Sequence, residues 1–160
     1  SKKAVMAWTA SGLYVATWLD LLDATQLAID LSLASHKLAL YNNTETPNFS
    51  TETAYAVTNE VSGTGWAAGG VALSAAASGG GSTTPTLTES PAGSIMYDMA
   101  DVAVSGTTLV NARGVKLYAD VLAGNNLIIG INFTADYSTN NGIFGIQWAA
   151  TGVFAIDLTP

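Results

Sequence analysis

The C-terminal half of the chain is written with a period of two. Phe144, Ile146 and Trp148 alternate with Ile143, Gly145 and Gln147, and after Ala149-Ala150-Thr151-Gly152 the residues Phe154, Ile156 and Leu158 repeat the pattern. Successive side chains of a strand point to opposite faces, so this alternation specifies strands with one buried face. It predicts a hairpin over 143–148 and 153–158, with Trp148 on its core face. Further strands are expected at 86–89, 94–98, 107–112, 114–119 and 126–133. Leu127-Ile128-Ile129-Gly130-Ile131 is apolar at nearly every position, as in a strand covered on both faces. Many short strands between turn signals specify a mainly β chain: an antiparallel β-sandwich or small barrel. The length of 160 residues suits a single β-rich domain over 1–160.

The N-terminal part departs from this pattern. Trp18, Leu19 and Leu22 fall at helical spacing, with Asp20 and Asp23 on the other side, which predicts one short helix over 16–26 with Thr17 as its N-cap. From Leu27 the period returns to two through Ile29, Leu31 and Leu33. With His36-Lys37-Leu38-Ala39-Leu40-Tyr41 this reads as two short strands, or as one strand broken near Ala34-Ser35. A polar loop follows over 42–53. The glycines of 62–70 mark a loop entering a strand at Val71-Ala72-Leu73, and 75–84 has the composition of a flexible Gly/Ser-rich loop, an exposed hairpin tip.

Composition narrows the partners. Hydrophobic residues make up 49% of the chain, which is opposite to the bias of a disordered one. Five Lys and Arg against twelve Asp and Glu give a net charge of −7, so no nucleic acid is expected as a partner. Only 11% of the residues are charged, against about 25% in an average protein. A surface of Ala, Thr, Ser, Asn and Gly suits a chain that packs against partners or resists proteases outside the cell. No apolar run approaches the ~20 residues of a membrane span, so no membrane is expected, and no targeting segment is legible behind Lys2 and Lys3. The absence of Cys fits assembly in a reducing cytosol. Three N-x-S/T triplets, at Asn42, Asn48 and Asn132, read as chance matches.

Motifs with chemical potential are weak. Gly63-Thr64-Gly65-Trp66-Ala67-Ala68 matches a dinucleotide fingerprint in letters only, because a strand rather than a helix follows; a Gly-rich turn is the plainer reading. Asp136 to Gly142 begins like a calcium loop, but Gly falls one position late and Gln147 stands where a bidentate Glu belongs, so an Asx-rich turn is expected. Asp98 and Asp101 read as a solvated strand end. His36, the single histidine, reads with Lys37 as a surface pair, and no nucleophile elbow accompanies it. Glu60, Glu89, Asp98 and Asp101 supply carboxylates for glycoside cleavage without any spacing that pairs them. The expectation is a non-enzyme with no catalytic residues, no cofactor and no metal.

Two aromatics are candidate partner contacts. Trp66 stands in the Gly-rich loop and either plugs the core or anchors a partner; the plug is weighed first. Trp8 belongs to an N-terminal segment with Lys2, Lys3, Val5 and Met6. That segment reads as an edge strand over 4–8 on the final hairpin, or as an arm placing Lys2 and Lys3 on carboxylates and Trp8 in an apolar pocket of a neighbour.

The order of motifs then carries a resemblance. After the helix come Lys37-Leu38-Ala39-Leu40-Tyr41, then Asn59-Glu60-Val61-Ser62-Gly63-Thr64-Gly65-Trp66-Ala67-Ala68-Gly69-Gly70, then Asn111-Ala112-Arg113-Gly114-Val115-Lys116-Leu117-Tyr118 and Asn141-Gly142-Ile143-Phe144-Gly145. The series resembles small virion proteins of tailed, notably actinobacterial, bacteriophages. The resemblance implies a structural protein of the particle. The leading expectation is a capsid decoration (cementing) protein on the outer shell, bound to the major capsid protein, assembled in the host cytoplasm and present as a homo-oligomer such as a trimer. The alternative is a tail-associated or fibre protein that binds host surface or glycan, with Trp66 or Tyr55 as stacking platforms.

Overall fold

A computed structural model describes residues 7–76 and 84–159. Lys2, Lys3 and most of the expected 75–84 loop lie outside the described residues. Ala75 and Ala76 belong to a short helix.

The chain is mainly β, and the strand pairs among the described residues are antiparallel. In order the elements are β1 (Gly12–Leu13), α1 (Val15–Leu22), β2 (Lys37–Tyr41), β3 (Glu60–Val61), β4 (Val71–Ala72), α2 (Leu73–Ala76), β5 (Thr86–Glu89), β6 (Ser94–Asp98), β7 (Val102–Ala119), β8 (Asn126–Ile146) and β9 (Phe154–Asp157). A six-stranded sheet runs β1-β8-β7-β2-β3, with β4 also on β2, and a three-stranded sheet runs β5-β6-β9. The arrangement is sandwich-like. Tyr97 of β6 and Phe154 of β9 join the apolar cluster built on Leu38, Leu40, Val115, Leu117 and Ile129 of the larger sheet.

β7 and β8 dominate the larger sheet. The expected strands 107–112 and 114–119 are one strand, and so are 126–133 and 143–148. The Asx-rich stretch from Asp136 to Gly142 is not a turn between strands but the middle of β8. Both strands run on through their polar residues, with register shifts interrupting the ladder between Val104 and Gly114 and letting the pair bend. Asn111 and Asn141 take positive φ in this stretch, which Asn tolerates better than most residues.

The terminal hairpin does not form. Val102 and Val104 of β7 pair with Ile146 and Phe144, so β7 and not the C-terminal strand is the ladder partner at that end of β8. Asp101 accepts the Trp148 N–H at 3.0 Å and Ala100 O accepts its Nε1–H at 3.0 Å. The chain then crosses to the smaller sheet, where β9 pairs with β6 from Ser94↔Asp157 to Tyr97↔Phe154.

The N-terminal half also differs from expectation. The helix ends at Leu22, because the Asp23 carboxylate takes the Thr25 N–H at 2.7 Å and turns the chain. Tyr14, not Thr17, is the N-cap residue, and Thr17 is buried with its hydroxyl donating to Leu127 O at 2.5 Å. Residues 27–33 keep a period-two burial through Leu27, Ile29 and Leu31 but find no ladder partner among the described residues. Asp30 instead accepts the Ser32 N–H in a tight turn.

The central part of the larger sheet is buried on both faces. Leu38 and Leu40 face the main core, whereas Ala39 and Tyr41 join Trp8, Tyr14, Tyr118 and Leu127 in a second cluster. That second face is roofed by residues 42–59, a closed excursion between the paired ends of β2 and β3. The roof is fastened by Val15 N–H to Phe49 O, Leu127 N–H to Thr53 O and Tyr55 N–H to Asn125 O.

Candidate functional site

Under this roof the ladder carries two small positions around one cation. Lys116 of β7 is flanked across the sheet by Ala39 and Gly130. Neither neighbour fills the space above the strand, so Tyr14, Tyr41 and Phe49 pack into it. The Tyr14 hydroxyl lies against Gly130, at 3.2 Å from where a Cβ would be. The Lys116 Nζ sits 4.7 Å from the Tyr41 ring centroid and 5.8 Å from that of Tyr14. Its ammonium is met by two carboxylates from the roof: Glu45 Oε1 at 2.6 Å and Glu52 Oε2 at 2.8 Å.

Each carboxylate is held by a second contact. Asn59 Nδ2 donates to Glu45 Oε2 at 2.9 Å, and the Asn48 N–H donates to Glu52 Oε1 at 3.0 Å. The Lys116 and Glu45 side chains are 5% and 12% exposed, that of Glu52 29%. Desolvating such a set costs several kcal/mol, which the short contacts and the ring faces offset. Burial, together with the charges of Glu52 and Glu45, pushes the Tyr14 phenol far above its ordinary value, so it stays neutral. The network fixes the roof on the sheet. Nothing in the polar text of 42–53 marked Glu45 and Glu52 as inward-facing; the available signal was Lys116 lying between Val115 and Leu117 in an otherwise apolar strand.

The second feature is outside. Val15, Leu19 and Leu22 form one stripe of α1 at i, i+4 and i+7, and they are 46%, 59% and 85% exposed. The helical period was legible but its phase is rotated: of the expected inward residues Trp18 packs, while Leu19 and Leu22 do not. Tyr14 and Thr17 face β8, Trp18 meets Phe154 edge-on at 5.7 Å, and the most apolar stripe is left in solvent.

The remaining candidates are structural. Trp66 is fully buried and packs edge-to-face on Phe144 at 5.5 Å, so it is the core plug and offers a partner no surface. Its turn closes through Gly63 N–H to Trp66 O and Trp66 N–H to Gly63 O. Gly65 supplies the positive φ, and a Cβ on Gly63 would fall on Thr108 O. Trp8 is buried as well. It lies on Gly114 and meets Tyr41 at 6.3 Å, and its Nε1–H donates to Ala10 O at 2.6 Å. Its ring is therefore not free for a neighbour's pocket, and it lies in no strand. His36 is not a surface residue but fully buried, with Nε2 at 2.6 Å from Asp30 O.

Four carboxylates considered for hydrolysis are spent on local backbone and hydroxyl contacts. Asp98 accepts from Met99 N–H, Asp101 from Trp148 N–H, Glu89 from Gly93 N–H, and Glu60 from Gly69 N–H and the Tyr55 hydroxyl. Tyr55 stacks on Tyr118 with centroids 4.6 Å apart, which covers one of its faces. Among the described residues no group of three or more His, Cys, Asp and Glu has metal-ligand spacing, and no helix is long and apolar enough to cross a membrane. An open groove of about 440 Å³ on the outer part of β8 is lined by Phe133, Tyr137, Ile143 and Phe144.

Comparison with protein-family models, with curated proteins and with solved structures gives no match.

Proposed function

We propose that the chain is a non-enzymatic structural protein of a bacteriophage virion, a decoration protein that binds the major capsid protein on the outer shell. The observation that carries this reading is the exposed Val15–Leu19–Leu22 stripe on a helix whose opposite side is pinned to a rigid β scaffold. Exposed apolar side chains grouped on one element mark a surface that another protein covers. The low charge fraction agrees with a chain that spends its surface on contacts, and the doubly covered sheet suits a component that must not unfold in the open. The motif series resembling small phage virion proteins supplies the partner class. Self-association into a homo-oligomer, a trimer at a capsid symmetry axis, belongs to the same proposal.

Leu19→Asp with Leu22→Asp tests it. Both side chains are exposed, so the variant should melt as the parent does, within about 0.5 kcal/mol. Binding to particles lacking the protein should fall at least tenfold in a sedimentation assay, while the parent protein loads hundreds of copies per particle. Unchanged loading by the variant overturns the helix as the docking face. A few copies per particle would move the protein to the tail.

The tail or fibre reading keeps one specific observation. Tyr137 is half exposed beside Phe133, with centroids 6.1 Å apart, at the rim of the β8 groove, an aromatic platform of the kind sugars stack on. This replaces Trp66 and Tyr55 as platforms. Glycan-array binding that disappears in Tyr137→Ala would favour it.

A further inference from the structure

The buried lysine has one carboxylate more than charge balance requires. A single ammonium neutralises a single carboxylate, yet Glu45 and Glu52 both contact Lys116 Nζ, inside a shell of aromatic rings. The three side chains divide as an amide condensation needs. Glu45 is the more buried, makes the shorter contact and has its second oxygen on a hydrogen-bond donor, Asn59 Nδ2. Glu52 touches the same nitrogen and is the more open to solvent.

We propose that Lys116 and Glu45 condense into an intramolecular isopeptide bond, with Glu52 as the proton carrier. The 2.6 Å hydrogen bond between Nζ and Glu45 Oε1 is the path for the first proton. One proton passes from Nζ to Glu45 Oε1, leaving a free amine against a carboxylic acid. The amine lone pair attacks Cδ, and Oε2 takes up the negative charge facing the Asn59 Nδ2–H, which serves as a one-donor oxyanion site. Nζ then gives a second proton to Glu52 Oε2. Glu52 returns it to the Oε1 hydroxyl as the Cδ–Oε1 bond breaks. A C–N bond forms, a C–O bond breaks, one water leaves and Glu52 is regenerated, with no oxidant or cofactor. The fold supplies the proximity that a dilute amine and acid lack, since Ala39 and Gly130 hold the lysine stem in a slot and the closed 42–59 roof holds both acids over it. The product joins the roof covalently to the middle of β7.

Intact mass of the purified full chain, taken in denaturant, decides the matter. The parent protein is expected one water lighter than its sequence, and a digest should give a branched peptide joining Lys116 to Glu45, with trypsin no longer cutting at Lys116. Lys116→Met and Glu52→Gln should each run at their full sequence masses, with Glu52→Gln checked as a folded, monodisperse species. A parent chain at full sequence mass with Lys116 cleaved normally overturns the proposal, as does a lost water that maps to other residues. That reading is made on the parent protein and does not depend on how any variant folds. A folded Glu52→Gln that still forms the bond removes Glu52 from the mechanism.

Discussion

His36 carries its neutral form into the core. Its Nε2 hydrogen bonds to the Asp30 carbonyl, so that nitrogen holds the proton, while the buried Nδ1 has no hydrogen-bond partner among the described residues. A second proton would have to sit on Nδ1 without a partner. Burial accordingly pushes the imidazole below its ordinary value, against a weaker upward pull from the Asp30 carbonyl and carboxylate. In the unfolded chain the same ring titrates near pH ~6.5. Below that pH the unfolded state binds the proton more readily, so stability is full above about pH 6.5 and falls as the pH drops toward the folded value. Thermal melts between pH 7 and 5 should show Tm falling on the acid side, and His36→Gln should flatten that limb. Equal slopes in the two proteins would mean the ring does not control it. Lys116 is a different case, a core side chain whose Nζ is met by Glu45 and Glu52. Cutting it to Met would strand two carboxylates and cost about 3–5 kcal/mol in urea unfolding.

At the scale of the element, β7 explains how one strand serves two cores. Val115 and Leu117 face the main cluster, while Gly114, Lys116 and Tyr118 lie on the roofed side. Gly114 is the flat place on which Trp8 rests. A Cβ there would come within 2.7 Å of the Trp8 ring and 2.6 Å of Ile131 O. Gly114→Ala should therefore destabilise by about 1–3 kcal/mol through overpacking, and Trp8→Ala by about 3–5 kcal/mol through the cavity it leaves. The two should not add. With Trp8 removed, only the carbonyl opposes the new methyl, so a double-mutant cycle in urea should return a coupling of about 0.5 kcal/mol or more. Strict additivity would mean that Trp8 does not pack on Gly114 in solution. The same element shows why strand boundaries were misplaced. Arg113 falls between the two expected strands and Asn141 in the expected turn, yet Arg113 pairs with Asp136 at 2.6 Å and donates to Thr134 O, which carries the ladder across its irregular stretch.

Across the molecule, order is unevenly distributed. The β2–β7–β8 ladder is covered on both sides, whereas α1 is one short helix with its most apolar stripe in solvent. An isolated helix of eight residues is far below the length that holds itself together in water, so α1 depends on Thr17, Trp18 and the strand beneath. In hydrogen exchange the β7 and β8 amides around Lys116 should exchange only with global unfolding, and those of α1 by local opening. On binding to particles the α1 amides should slow at least tenfold while the ladder stays as it was. No change at α1 on loaded particles would count against the helix as the covered face.

The periodicities by themselves determined that this chain is mainly β, that its N-terminal part holds a short helix and that the Trp66 loop is a Gly-rich turn, because period and turn chemistry are local and survive any packing. They placed the helix on the right residues to within a turn, but the stripe facing the sheet was chosen by Thr17 reaching Leu127 O and by Trp18 meeting Phe154, contacts between residues far apart in the chain. The partner of the last strand was likewise a tertiary choice. Alternation says that Phe154 and Ile156 need a sheet, and only the tertiary structure, which pairs them with β6 and pairs Phe144 and Ile146 with β7, says which one. The Lys116 site was least legible, since Glu45 and Glu52 look like any solvated loop acids until the roof closes over the sheet. A charge's burial depends on what covers it, and residues 42–59 cover Lys116 only because Ala39 and Gly130 leave room there.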